Sequence, residues 1–399
     1  MATAAWLAMV ATMALQPSPS RWLASAAPGA PLVVVLPGSQ DAVRETFERW
    51  RAVTATLGWG VLVPGIAAAP ADAAVLALEA LLDAFVQQVK PDRQRVYLAG
   101  EGAGGSAVFY VVSRRPDLWA AAAALGGNPR PAIETNRLFA ANTSLVTVLW
   151  VPRPGDALAG PMRARLREAG YNLLEPPRTE MSVAELLQWL GRHRQEEFPY
   201  KIDCETGHPA FARCYWAEIS RLDFSQRNDA LAVSRVPPGS GAYVALGGFG
   251  FDPSAPGPGV LVGWLPENYK GPLRMGDRIV AVGGHEIADG RAYVEFMERQ
   301  ADERATAVTL LRDGRLMRVE TRIVLPRREE VLTARVRAEY LPETRELLVV
   351  SRGVAALRLR LPVSWIPARI NWNGTEAGTV ERAGCWELEQ GSPPRPCPQ

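Results

Sequence analysis

The stretch "RVYLAGEGAGGSAVFYVVSRRP", residues 95–116, restricts the fold more than any other part of the chain. A short apolar run meets a glycine-dense turn, and a helical pattern follows until Pro116 closes it. Glycine accepts backbone conformations that side chains disfavour, so Gly100, Gly102, Gly104 and Gly105 mark a tight passage from a buried strand into a helix.

The surrounding chain repeats that unit. "PLVVVLPGS" is a continuous apolar run of the kind that lies buried on both faces in a parallel sheet. "RETFERWRAVTATLG" and "DAAVLALEALLDAFVQQV" carry apolar residues at helical spacing, with "WGVLVPG" as a strand between them. "AAAALGG" and "SLVTVLWVP" are further strands, and "PMRARLREAG" and "SVAELLQWLGRHR" further helices. This alternation without internal repeat predicts a doubly wound α/β sheet over 31–198. After Pro199 the runs "RCYWAEISRLDF", "DALAVSRV", "TARVRAEYLPETRELLVVS" and "ALRLRLPV" are short and alternating, which predicts antiparallel strands. They divide into 199–236 and 327–390, two parts of one β-sandwich, around an independently patterned insert at 237–326. Asn371 to Gly374 reads as a hairpin turn, Trp365, Trp372 and Trp386 as core or an aromatic patch, and 391–399 as a tail.

At 399 residues the chain is long enough for several cores, and its net charge of +2 is spread over alternating signs. No basic run is long enough to follow a phosphate backbone, which excludes nucleic acid as a partner class. An apolar stretch at 4–15 is too short to span a bilayer and has the length of a signal-peptide core, with a small-residue cleavage candidate at Ala24, Ser25 and Ala26. No Lys or Arg precedes it, so 1–30 reads either as a signal-like leader or as an ordinary N-terminal helix. The four cysteines form two sequence-local pairs, Cys204 with Cys214 and Cys385 with Cys397, and none forms a CxxC motif. Disulfides at those pairs suit an oxidising compartment, free thiols the cytosol. The even count and the leader together favour a secreted or periplasmic protein, without metal, cofactor or stable membrane span.

Taken together, "PLVVVLPGS", "DRQRVYLAGEGAGGSAVFYVVSRRPDLWAAAAALGG" and "LLQWLGRHR" resemble the esterase and dienelactone-hydrolase-like branch of the α/β-hydrolases, over about residues 32–194. The resemblance implies an oxyanion hole near Pro37, Gly38 and Ser39 and a nucleophile at the apex of the glycine turn. That position is Gly102, which has no side chain to attack a carbonyl. Ser106 lies one helical turn on, Asp156 falls where the family's acid follows its strand, and the base position offers Thr179 and Glu180 but no histidine. The chain holds only three histidines, His193, His208 and His285, and a rearranged site would need Glu101 or Glu180 as base and Ser39 or Ser106 as nucleophile.

Within the insert, "LRMGDRIVAVGGHEIADGRAYVEFM" and its flanks over 243–324 resemble a PDZ domain. The resemblance implies a peptide or protein C-terminus as partner, its carboxylate held by the loop Gly248, Phe249, Gly250 and Phe251. Pro253, Pro256 and Pro258 fall where the peptide-pairing strand would run, each lacking an N–H. The expectation is therefore a non-catalytic hydrolase-like protein acting in binding or scaffolding. The alternatives are an active serine-type esterase or peptidase with a rearranged site, and a structural surface module.

Overall fold

A computed structural model describes residues 21–24, 27–65, 69–176, 180–226, 228–328 and 330–398. Residues 1–20, 25 and 26 of the leader-like segment lie outside that set, as does Thr179. Seven strands build the first unit: β1 (Arg21–Ala24), β2 (Leu32–Leu36), β3 (Gly60–Pro64), β4 (Val96–Glu101), β5 (Ala121–Leu125), β6 (Thr147–Val151) and β7 (Leu173–Leu174). Their order is β1-β3-β2-β4-β5-β6-β7, parallel except that β1 pairs antiparallel with β3. The edge strand β1 thus comes from within the segment expected as a leader.

Helices cover both faces. Val33 and Val35 of β2 pack with α1 (Val43–Leu57) and α6 (Val183–Leu190). Leu32, Val34 and Leu36 point the other way, onto α2 (Asp72–Val89), α3 (Ala103–Arg114) and α5 (Ala159–Glu168). All five β2 residues are buried, which is why the run shows no polar alternation. A short helix, α4 (Arg130–Glu134), follows β5. A capping box between Ser182 and Glu185 starts α6.

Three strands follow, β8 (Lys201–Thr206), β9 (Arg213–Cys214) and β10 (Ala217–Leu222). The insert contributes β11 (Tyr243–Val244), β12 (Val260–Leu261), β13 (Arg278–Val282), β14 (His285–Glu286), α7 (Gly290–Glu298), β15 (Arg304–Arg312) and β16 (Arg315–Val324). The chain then returns with β17 (Ala334–Leu341), β18 (Glu346–Arg352), β19 (Val354–Leu361), β20 (Ala368–Trp372), β21 (Thr375–Val380), β22 (Gly384–Glu389) and β23 (Arg395–Pro396). The insert's sheet runs β11-β16-β15-β13-β12 over its own core. The strands on either side of it form two five-stranded sheets, β23-β22-β19-β10-β9 and β21-β20-β18-β17-β8, sharing one core.

Two disulfides form, Cys204–Cys214 and Cys385–Cys397, and the second ties the tail beside β22. Trp365 and Trp372 are core residues and Trp386 is partly buried against them, so no exposed aromatic patch exists there. Asn373 and Gly374 take the positive φ values of a two-residue hairpin turn.

Two expectations need correction. The β module is not wholly antiparallel, because the chain leaves β18 for β19 in the facing sheet and returns at β20, so β18 and β20 pair parallel. "DALAVSRV" is not a strand of the module. It lies against the α/β unit, with Val236 N donating to Leu138 O at 2.8 Å and Ala140 N donating to Ser234 O at 2.8 Å.

Glu205 is what draws that segment away. Its side chain, buried between the units, accepts from Ser234 N (2.7 Å), Ser234 Oγ (2.6 Å), Thr333 Oγ1 and Arg352 (3.0 Å). Its backbone is bracketed by Asn142 of the α/β unit, at 2.6 Å to the N–H and 2.9 Å to the carbonyl. Glu205→Ala would leave Arg352 and the Ser234 donors facing a vacated site, and should destabilise the chain by about 3 kcal/mol. Chemical denaturation followed by tryptophan fluorescence, compared with Glu218→Ala on the surface, checks this.

Candidate functional site

The glycine turn at the end of β4 has the backbone of a nucleophile elbow. Gly102 sits at φ 54°, ψ −116°, and α3 begins at the next residue. Its neighbours are glycines for steric reasons: a Cβ at Gly100 would collide with the Gly104 carbonyl, one at Gly104 with the Leu36 carbonyl, and one at Gly105 would come within 2.7 Å of Leu125 O. At Gly102 itself a Cβ would meet only ordinary contacts, Gly38 Cα at 3.7 Å and the Arg153 guanidinium at 3.8 Å. The Gly38 loop therefore passes close beside the apex. What occupies the apex is Arg153, whose Nε donates to Gly126 O at 3.0 Å.

The groups that would have to activate a nucleophile are committed elsewhere. Ser106 Oγ accepts from Asn128 N at 2.9 Å and lies 3.5 Å from Gly102 O. Asn128 Nδ2 in turn donates to Asp156 Oδ2 at 3.1 Å, while Asp156 Oδ1 caps Leu158 N. Ser106 and Asp156 are therefore linked, but through an amide that takes no proton. Glu101 is held by Arg49 and by Trp50 Nε1, the latter at 2.8 Å. Ser39 caps the turn into α1, and Glu180 is exposed ahead of α6.

The histidines are remote from the elbow. The His193 carbonyl accepts from the Tyr97 hydroxyl at 2.9 Å, at the start of β4, whereas Gly102 follows its end. His208 caps a turn in the β module and His285 stacks on Phe296 in the insert. Each of the three imidazoles is thus engaged away from the apex.

A second site lies where the insert meets the α/β unit, a groove of about 450 Å³. Gly247, Gly248, Phe249 and Phe251 form one side, and Tyr293, Val294 and Met297 of α7 the other. Burial raises the Tyr293 phenol above its ordinary value, against a smaller opposing hydrogen bond from the Val244 backbone. Gly250 exchanges hydrogen bonds with Gly263 and Trp264, so by strand alternation the polar groups of Phe249 and Phe251 face the opposite edge. Among the described residues the amides of Gly247, Gly248, Phe249 and Phe251 have no hydrogen-bond partner. Pro253, Pro256 and Pro258 lie beyond Phe251 in the loop before β12, which leaves a short open edge.

The α/β unit supplies a wall of that groove through Arg130 and Glu134 of α4. Val294 and Phe251 pack into the α/β core, Arg165 pairs with Glu298 at 2.8 Å, and Ser254 Oγ donates to Gly155 O at 3.2 Å, next to Asp156. The α7 residues were missed from sequence although their spacing carries the signal, Tyr293, Val294 and Met297 recurring on one helical face. Arg130, Glu134 and Arg153 left no local signal, since each acts on residues brought near only by folding. Among the described residues no cluster of three or more His, Cys, Asp or Glu side chains could hold a metal ion, and no helix is long and apolar enough to cross a membrane.

The elbow geometry generates a direct expectation. Gly102→Ser should destabilise by about 1–2 kcal/mol, because a side chain must adopt positive φ, and should give no turnover of p-nitrophenyl esters. Strong hydrolysis by this single variant would mean that a base reaches the apex.

No family model matches the chain, and comparison with curated proteins finds no match. Solved structures that resemble it are a thermostable esterase (17% identity, 44% of this chain and 59% of that one, TM-score 0.32) and the enterobactin esterase of Shigella flexneri (15%, 43% and 54%, 0.34). A phospholipase/carboxylesterase from Dyadobacter fermentans is a third (15%, 43% and 94%, 0.30). The chain thus spans little more than half the length of the first two. With TM-scores no higher than 0.34, the α/β architecture rests on the strand pairing of this chain rather than on these likenesses.

Proposed function

We propose that the chain is a binding protein: a non-catalytic α/β-hydrolase-like unit (31–198), followed by a β-sandwich (199–236 and 327–390) that carries a PDZ-like domain (237–326). The partner is the C-terminal end of a peptide or protein. The observation that carries this reading is the run of unpartnered amides at Gly247, Gly248 and Phe249, at the head of an apolar groove. Successive N–H groups without acceptors suit a carboxylate, and the open edge at Phe249 and Phe251 suits an extended segment added as a strand. The side chains of Phe249, Phe251, Val294 and Met297 offer an apolar seat for the last residue. Two disulfides support export to an oxidising compartment.

Fluorescence polarisation with labelled octapeptides tests the reading. Peptides ending in free Val, Leu or Phe should bind saturably, and amidation of the terminus should weaken binding at least about tenfold, the loss of a charge-assisted hydrogen bond. Equal affinity of acid and amide, or no binding across the series, would overturn it.

A second reading, an active serine-type esterase or peptidase, draws support from the retained elbow backbone and the Ser106–Asn128–Asp156 chain. A fluorophosphonate separates the two. The binding reading expects no covalent adduct by intact mass spectrometry, and labelling abolished by Ser106→Ala would establish the second.

A further inference from the structure

The groove is not built by the insert alone. Part of its lining comes from α4, whose Arg130 side chain stays about two-fifths exposed. Glu134, one turn along, is shared between Arg130 at 3.7 Å and Arg328 at 3.4 Å, so two guanidinium groups bear on one carboxylate. The other acid of the lining, Glu298, is already met by Arg165 at 2.8 Å. The lining and its partners therefore leave one positive charge in excess, on the part of the lining that α4 supplies. The position of that part is fixed, because Val294 and Phe251 are packed into the α/β core and Arg165 clamps the end of α7.

We infer that the α/β unit is part of the ligand site, and that Arg130 selects an acidic side chain in the residues preceding an apolar C-terminus. This rests on the peptide-binding reading above. The terminal carboxylate occupies the amides at Gly247 to Phe249, the last side chain fills the apolar seat, and the preceding residues run along the open edge and pass α4. An Asp or Glu there meets a guanidinium that its own neighbour only half neutralises, whereas a Lys meets like charge. The selectivity is electrostatic and partly exposed, so it is modest and falls with salt. On this view the α/β unit acts as a specificity surface rather than as a spacer.

The test uses the full chain and fluorescein-labelled octapeptides ending in a free valine carboxylate, with Asp, Asn or Lys scanned through the four residues before it. At low ionic strength the best Asp peptide should bind about five-fold more tightly than its Asn counterpart, with Lys weaker still, and added salt should shrink the difference. Arg130→Glu should reverse the Asp and Lys order in a variant that still unfolds cooperatively, and Arg130→Ala should abolish the ranking without abolishing binding. Peptides that bind alike whatever their charge, or an order unaltered in Arg130→Glu, would overturn the role of Arg130 and leave the peptide site standing. Failure of every free-carboxylate peptide to bind would overturn the peptide site and this inference together.

Discussion

Glu205 is the buried charge around which the three parts of the chain are assembled. A carboxylate removed from water is costly unless its lone pairs are filled and its charge is matched. Here the matching groups come from separate places: Ser234 from the linker into the insert, Thr333 from the linker out, and Arg352 from β18. Asn142 joins the same residue to the α/β unit through its backbone. The desolvation penalty can be met only when all these segments arrive, which turns one acidic side chain into a condition on the arrangement of the whole molecule. The neighbouring Cys204–Cys214 bridge and the stacking of Arg114 over Phe211, 4.1 Å away, reinforce the same junction.

At the elbow, backbone form and side-chain surroundings answer to different contacts. Gly100, Gly104 and Gly105 are required by the closeness of β2, β4, β5 and α3, whatever happens at the apex. Gly102 answers a different demand, a positive φ in a space that would accept a side chain. A glycine pattern therefore reports how tightly strand and helix pack, while catalysis depends on what surrounds the apex. Around this apex stand Arg153, a serine whose oxygen receives a backbone N–H, and a carboxylate held by an arginine and an indole.

Much of the α/β unit could be read from the sequence, because its strands are buried on both faces and its helices are amphipathic. Such patterns are local and survive without knowledge of the partners. The insert was marked by its own turns and apolar alternation, and the two cysteine pairs by their short spacing. What escaped was set by contacts distant in sequence. "DALAVSRV" alternates like a strand, yet Glu205 and the Leu138–Ala140 segment claim its hydrogen bonds. The parallel pairing of β18 and β20 depends on an intervening strand crossing to another sheet, which no alternation pattern records. Gly248, Phe249 and Phe251, singled out from sequence, line the groove, whereas its Arg130 and Glu134 come from α4, more than a hundred residues upstream.

The two linkers of the insert run side by side. Arg235 on the way in donates to the Val331 carbonyl on the way out, at 2.6 Å, and Ser234 and Thr333 share the Glu205 carboxylate. The insert is thus a cassette whose ends meet, so its removal would leave a gap that a few residues close. Away from that junction the insert is also held to the α/β unit by the Arg165–Glu298 pair. The insert is thus fastened at two separate places, at a buried carboxylate between its linkers and at an ion pair on α5.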